Sequence, residues 1–278
     1  MPNVLVNDIR DRIKPWRQGG YAGITPTTRR LLDYWTDAER EKKLFFCQIE
    51  ALETAIYLTE CAPRTNATWI ADRLGIATDL YNPGLNRIAH KMATGSGKTV
   101  VMAMIITWQT LNKIENPQDA RFTDTFLVVT PGITIRDRLQ VLQPNHPENY
   151  YRARDVVDPY DLERLNRANI VITNFHAFQL REKGDASKTT KAILGADQTG
   201  AFTETPAQMV NRVLGNLRSK KSIIVLNDEA HHCYRRKQET AEPDETATQT
   251  TNEKLTAEER AEAKVREEEA RIWISGLE

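Results

Sequence analysis

The sequence predicts an α/β fold, a parallel sheet with helices on both faces, and three observations carry that expectation. Four short runs rich in valine and isoleucine, residues 87–91, 124–130, 169–173 and 222–227, lack polar alternation, as strands buried on both faces do. Segments of helical period, residues 99–112, 134–142, 159–166 and 207–218, fall between them, and such alternation specifies parallel strands joined by crossover helices. Between the first run and the first of these helices stands Met92-Ala93-Thr94-Gly95-Ser96-Gly97-Lys98-Thr99, a glycine-rich turn in a strand–loop–helix setting.

Upstream of the sheet, residues 1–36 mix basic, Gly/Pro and aromatic letters and read as an extended arm leading into a short helix over 28–35. Residues 39–61 form an amphipathic helix, with Leu44, Phe45, Ile49, Leu52, Ile56 and Tyr57 at helical spacing. Residues 63–83 make a weaker helical insert closed by Asn82-Pro83-Gly84, a turn signal. Residues 181–206 read as a polar surface insertion. Residues 237–258 are low-complexity and predict disorder, and a charged helix follows over 257–274. The expected division is an N-terminal arm and helical segment (1–86), an α/β unit (87–236), and a linker with a charged helix (237–278).

Bulk properties narrow the function classes. The 278 residues carry zero formal net charge, so any nucleic-acid contact has to come from a local basic face. Cys47, Cys61 and Cys233 are scattered without a CxxC pair, which argues against zinc and disulfide frameworks and for a reducing cytoplasm. Residues 1–12 have no apolar run of the secretory kind, and no stretch reaches the roughly 20 apolar residues of a membrane span.

The loop at 92–99 is built to hold phosphate. Gly95 and Gly97 let the backbone approach phosphate oxygens, and main-chain N–H groups of Thr94 to Thr99 at a helix start form an anion nest. Lys98 would neutralise the β- and γ-phosphates, and the Thr99 hydroxyl would ligate Mg²⁺. The second half of such a site is Ser222-Ile223-Ile224-Val225-Leu226-Asn227-Asp228-Glu229-Ala230-His231, an apolar strand ending in two carboxylates. Parallel strands face the ligand crevice with their C-terminal ends. There Asp228 can hold Mg²⁺, commonly through a water, and Glu229 can orient or deprotonate an attacking water. His231, His232 and Cys233 are too close together on one strand end to share a metal ion. His90, His146 and His176 read as structural or surface residues.

With these two motifs in hand, the chain resembles the superfamily 2 helicases and translocases of the DEAD/DEAH type, and within them the Res subunit of type III restriction enzymes. The resemblance runs from about Phe45 to His232. Residues 92–99 match motif I and Asp228-Glu229-Ala230-His231 matches motif II; Thr130-Pro131-Gly132 with Arg136 looks like motif Ia, and Thr173-Asn174-Phe175 like motif Ib. The segment Phe45-Phe46-Cys47-Gln48-Ile49-Glu50-Ala51 is similar to the upstream glutamine motif. The resemblance implies a RecA-like P-loop NTPase fold using ATP and Mg²⁺, with Gln48 at the adenine edge and Phe45 or Phe46 stacked on the base. It implies that Thr130, Arg136, Thr173 and Asn174 lie on the face that carries DNA, and that His231 couples motif II to later motifs. Read from the residues alone, Thr173 and Asn174 fit equally well as turn and N-cap residues, and Gln48 as a polar position on an amphipathic helix.

The family pairs two RecA-like domains, the second supplying an arginine finger worth on the order of a thousandfold in rate. No Ser/Thr-Ala-Thr motif follows residue 231, so the expectation is a first motor domain, with the second motor and any nuclease region elsewhere. The expected partners are double-stranded DNA and a modification/specificity subunit, and this chain alone is expected to hydrolyse ATP poorly. A non-catalytic nucleotide-binding or interaction module is the rival reading. A simple P-loop kinase is disfavoured, because Glu229 and His231 beside Asp228 have no role in one.

Overall fold

The structure, a computed structural model, describes residues 3–65, 67–79, 87–181 and 204–230. Three parallel strands, β1 (Thr125–Thr130), β2 (Asn169–Asn174) and β3 (Ile224–Asn227), lie in the order β2-β1-β3. Thr125 pairs with Asn169 and Thr130 with Asn174, while Phe126 pairs with Ile224 and Val129 with Asn227. All three strands therefore end at one edge.

The central strand explains the unalternating sequence. Every residue of β1 is buried. Phe126 and Val128 enter one core, and Leu127 and Val129 enter the other. The first core is shared with α2 (Pro26–Thr36), α3 (Phe46–Ile56) and α5 (Lys98–Glu115) through Leu31, Leu32, Trp35, Leu52, Ile56, Met104 and Trp108. The second is closed by Phe175, Phe178 and, from α9 (Pro206–Leu214), Met209 and Val213. Helices cover both faces, as the strand pattern requires. Between β1 and β2 run α6 (Ile133–Arg138), the short α7 (Tyr150–Ala153), which the sequence did not signal, and α8 (Pro159–Leu165).

Four expectations are corrected. The N-terminal arm is not extended: residues Val4–Gln18 form helix α1, capped by the Asn3 side chain. Its core-facing row, Leu5, Ile9, Ile13 and Trp16, keeps helical spacing, but only Ile9 and Ile13 are buried, the positions between are mostly polar, and Pro15, a helix breaker, stands inside it. Residues 87–91 join no ladder of the described sheet. Only Ile88 and Ala89 there are apolar, between Arg87 and His90-Lys91, and Ile88 is itself exposed, so pairing would bury little. The helix expected over 39–61 begins only at Phe46 and widens into a π-turn at Tyr57–Cys61. The helix expected over 134–142 ends at Arg138 and tightens to a 3₁₀ turn over Leu139–Leu142. The insert expected over 63–83 contributes helix α4 (Thr68–Asp79). Most of the expected insertion at 181–206, and everything expected from His231 onward, lies outside the described residues.

Two buried carboxylates bind the N-terminal helices to the rest. Glu60, in the π-turn, accepts from Trp108 Nε1 of α5 at 2.8 Å, from Thr28 Oγ1 at 2.7 Å and from the Thr25 main-chain N–H at 2.8 Å. Glu53 of α3 accepts from Arg17 Nε at 2.8 Å and from Tyr21 Oη at 2.6 Å. A buried charge with full hydrogen bonding is tolerable, and one stripped of its partners is costly.

Candidate functional site

The loop before α5 has the dihedrals that its glycines permit. Gly95 and Gly97 sit at φ +79° and +80°, in the left-handed region. Between them, Ser96 folds back on Ala93: its N–H and its hydroxyl both donate to the Ala93 carbonyl, at 3.3 and 2.7 Å. The chain enters α5 at Lys98 with no side chain capping the helix start. An uncapped start of an 18-residue helix, preceded by a left-handed turn, suits an anion.

Gln48 reaches this loop from α3. It is buried, its Nε2 donates to the Ser96 carbonyl at 3.0 Å, and its Oε1 accepts from the Phe45 N–H at 2.8 Å. Both ends of the carboxamide are thus engaged with main chain. Phe45 and Phe46 stand largely exposed at the start of the same helix.

On the opposite side, β3 carries its pairing one residue further: the Asp228 N–H donates to Val129 O at 2.9 Å. Glu229 then turns at φ +53°, a conformation that costs a non-glycine residue energy and recurs at functional sites. That turn brings Glu229 Oε1 to 3.2 Å from Lys98 Nζ, across 131 residues of sequence. Burial, and next the Glu229 carboxylate, hold the Asp228 carboxyl above the ordinary carboxylate range. Lys98 and, more weakly, Arg138 pull it the other way. Arg138, an exposed residue at the end of α6, is a neighbour of the acidic pair that sequence spacing did not mark.

The Thr99 hydroxyl and the Asp228 carboxylate are hard oxygen donors. They suit Mg²⁺, which takes one or two protein oxygens together with phosphate oxygens and water.

Of the residues expected on a DNA face, Thr130, Thr173 and Asn174 share the sheet edge with Asp228, since Thr130 pairs with Asn174 and Val129 with both Thr173 and Asn227, while Arg136 lies in α6. Their side chains are used locally. Thr130 is fully buried and its hydroxyl donates to Gly132 O at 3.0 Å. Asn174 Oδ1 accepts from the Ala177 N–H at 3.1 Å and caps the 3₁₀ turn Phe175–Phe178. Thr173 is partly buried, and Arg136 pairs with its neighbour Asp137 at 2.8 Å. His146 Nδ1 accepts from the Glu148 N–H at 3.1 Å and the His176 ring lies 3.9 Å from that of Phe175, both structural uses. His231 lies outside the described residues.

The sequence model of the family described as "Type III restriction enzyme, res subunit" matches residues 39–260. The chain belongs to the Res family. Membership makes it a RecA-like P-loop unit of the helicase-like, ATP-hydrolysing motor class found in restriction-type enzymes. Res proteins in general act on DNA with a modification subunit. The matched range takes in α3 with Gln48 as well as both carboxylates of the acidic pair, and it leaves α1 and α2 outside. No curated protein and no solved structure matches the chain. Among the described residues no helix is long and apolar enough to cross a membrane.

Proposed function

We propose that this chain is the ATP-binding first motor domain of a restriction-type DNA translocase or helicase, with residues 87–236 as the nucleotide unit and residues 1–86 as an N-terminal segment whose helices α2 and α3 pack on α5. The observation that carries the reading is the approach of Lys98 Nζ to Glu229 Oε1, beside Asp228, at the carboxyl edge of a parallel sheet. A lysine for phosphate charge and a carboxylate for water, held together behind a glycine-rich loop, are the parts that phosphoryl transfer to water needs.

In the proposed cycle the triphosphate lies in the loop 94–99, and Lys98 leaves Glu229 to neutralise phosphate oxygens. Thr99 and Asp228 would hold Mg²⁺, which would supply neutralisation of phosphate charge. Glu229, released from Lys98, accepts a hydrogen bond from the attacking water and aligns it with the terminal phosphorus. His231 couples this event to the DNA side. Arg136 and Thr173, with the main chain of the loops after β1 and β2, hold one strand of double-stranded DNA through its phosphates, without reading sequence. Thr130 and Asn174 act there by shaping those loops. A second RecA-like unit supplies the arginine that completes the site, and a modification subunit directs it to DNA. The unpaired Cys47 and Cys61 suit work in the cytoplasm.

The test is ATP hydrolysis by the purified chain with and without duplex DNA, alone and with a second motor domain and modification subunit of a Res-type system. Turnover stimulated by DNA and abolished by Lys98→Ala supports the motor. Nucleotide binding with no turnover in any combination selects the non-catalytic module instead.

A further inference from the structure

We infer that Gln48 is a positioning residue of the phosphate loop rather than a reader of the base; the inference rests on the nucleotide reading above. A glutamine that recognises a base needs its carbonyl and amide aimed at that base. Here the carbonyl is used by the Phe45 N–H and the amide by the Ser96 carbonyl, at 2.8 and 3.0 Å. The side chain is 4% exposed, so little of it faces any ligand. Three further facts make the contact a brace. Ser96 lies between the two left-handed glycines, where the loop has least stiffness of its own. A Cβ built on Gly97 would collide with Gln48 Nε2, so the amide fills the space that glycine leaves open. Phe45 and Gln48 form a capping arrangement at the start of α3, and α3 shares the main core with α5, so the brace is anchored at both ends.

The chemistry follows. Withdrawing the Ser96 carbonyl into a hydrogen bond with Gln48 keeps its oxygen out of the anion nest and turns the neighbouring N–H groups toward phosphate. Gln48 therefore contributes to the affinity for the phosphates, equally for any base attached to them. Preference among nucleotides would be set by other groups at the open end of α3.

The experiment compares wild type, Gln48→Met and Lys98→Ala in the full chain, measuring Kd for Mg·ATP, Mg·GTP and Mg·tripolyphosphate, which has no base. The expected result for Gln48→Met is a loss of roughly five- to tenfold for all three ligands, the effect of one hydrogen bond, with the ATP/GTP ratio unchanged. A drop in the ATP/GTP ratio with tripolyphosphate affinity intact would overturn the inference and return Gln48 to the base. Failure of wild type to bind tripolyphosphate, or equal binding by Lys98→Ala, would overturn the nucleotide reading itself and the inference with it. Because Met could disturb the start of α3, Gln48→Glu is measured beside it. Glu keeps an acceptor for the Phe45 N–H, removes the donor to Ser96 and adds a negative charge beside that carbonyl, so it is read by hydrogen exchange and not by affinity: exchange at the amides of residues 95–99 should quicken while that of α3 does not. Unchanged exchange at residues 95–99 would also overturn the inference.

Discussion

The two halves of the sheet edge use their side chains in opposite ways. On the β3 side, Lys98 and Glu229 turn toward each other across the crevice, and Glu229 holds a left-handed backbone to do so. On the β1–β2 side, Thr130 and Asn174 turn back on main chain two and three residues ahead. The ends of neighbouring parallel strands thus carry a charged pair shared with α5 in one half and loop braces in the other. A polar residue after a strand tells little about chemistry until its hydrogen bonds are known, whereas a strained residue facing a distant charge tells a great deal.

The contrast can be broken most severely on the β3 side. Glu229→Gln should lower ATP turnover by about a hundredfold or more while nucleotide binding persists, because the substitution keeps the shape and removes the base; steady-state kinetics alongside direct ADP binding would show it. Binding lost in parallel with turnover would mean that the residue is structural. Gly97→Ala comes next. It forces a Cβ to φ +80° and displaces the Gln48 amide, and a strained position of this kind costs about 1–3 kcal/mol; a lowered denaturation midpoint together with weakened Mg·ATP binding is expected. On the β1–β2 side, Asn174→Ala removes a cap and should cost about 1 kcal/mol of stability with ATP affinity unchanged; loss of nucleotide binding at wild-type stability would erase the distinction between the halves. The smallest effect is expected from Arg136→Ala. It should weaken duplex DNA binding a few-fold for any sequence and reduce the slope of log K against log salt by about 1, a change that titration at several salt concentrations resolves.

Acidity offers a separate handle on the β3 side. The Asp228 carboxyl is raised above its ordinary value by burial and by Glu229, so its charged form is disfavoured in the fold. The sign is fixed by linkage: ionised Asp228 costs stability at neutral pH, and the cost is relieved as pH falls through the raised value. Asp228→Asn should therefore raise the melting temperature at pH 7 while impairing Mg·ATP hydrolysis. Cation binding should fade on acidification at a pH above that expected of an ordinary aspartate.

Much of this was legible in the sequence because it depends on local pattern. The run Thr125-Phe126-Leu127-Val128-Val129-Thr130 buries every residue, so its lack of alternation spoke directly of a central strand. The glycines of the loop and the paired carboxylates after β3 marked their own places. What escaped has a common physical cause, which is that it lies in contacts between distant segments. Helix α1 buries only Ile9 and Ile13 fully, with Leu5 and Trp16 partly covered by a distant segment around Tyr57 and Ile70, and Pro15 within it argued against a helix. Residues 87–91 offer only Ile88 and Ala89 to a strand, and nothing in five letters says whether a neighbour will pair with them. Gln48 meets Ser96 through a main-chain oxygen, and a carbonyl has no sequence signature.

The buried Glu60 has a practical consequence for anyone trimming the gene. Its carboxylate joins Thr25 and Thr28 to Trp108, ten positions beyond Lys98 on the same helix. Starting expression at residue 87, where the expected α/β unit begins, would leave the Trp108 indole without its acceptors Glu60 and Thr28 and the face of α5 that meets α2 and α3 open to water. The smallest piece worth cloning includes the first 60 residues, although two of its helices fall outside the family's own sequence signature.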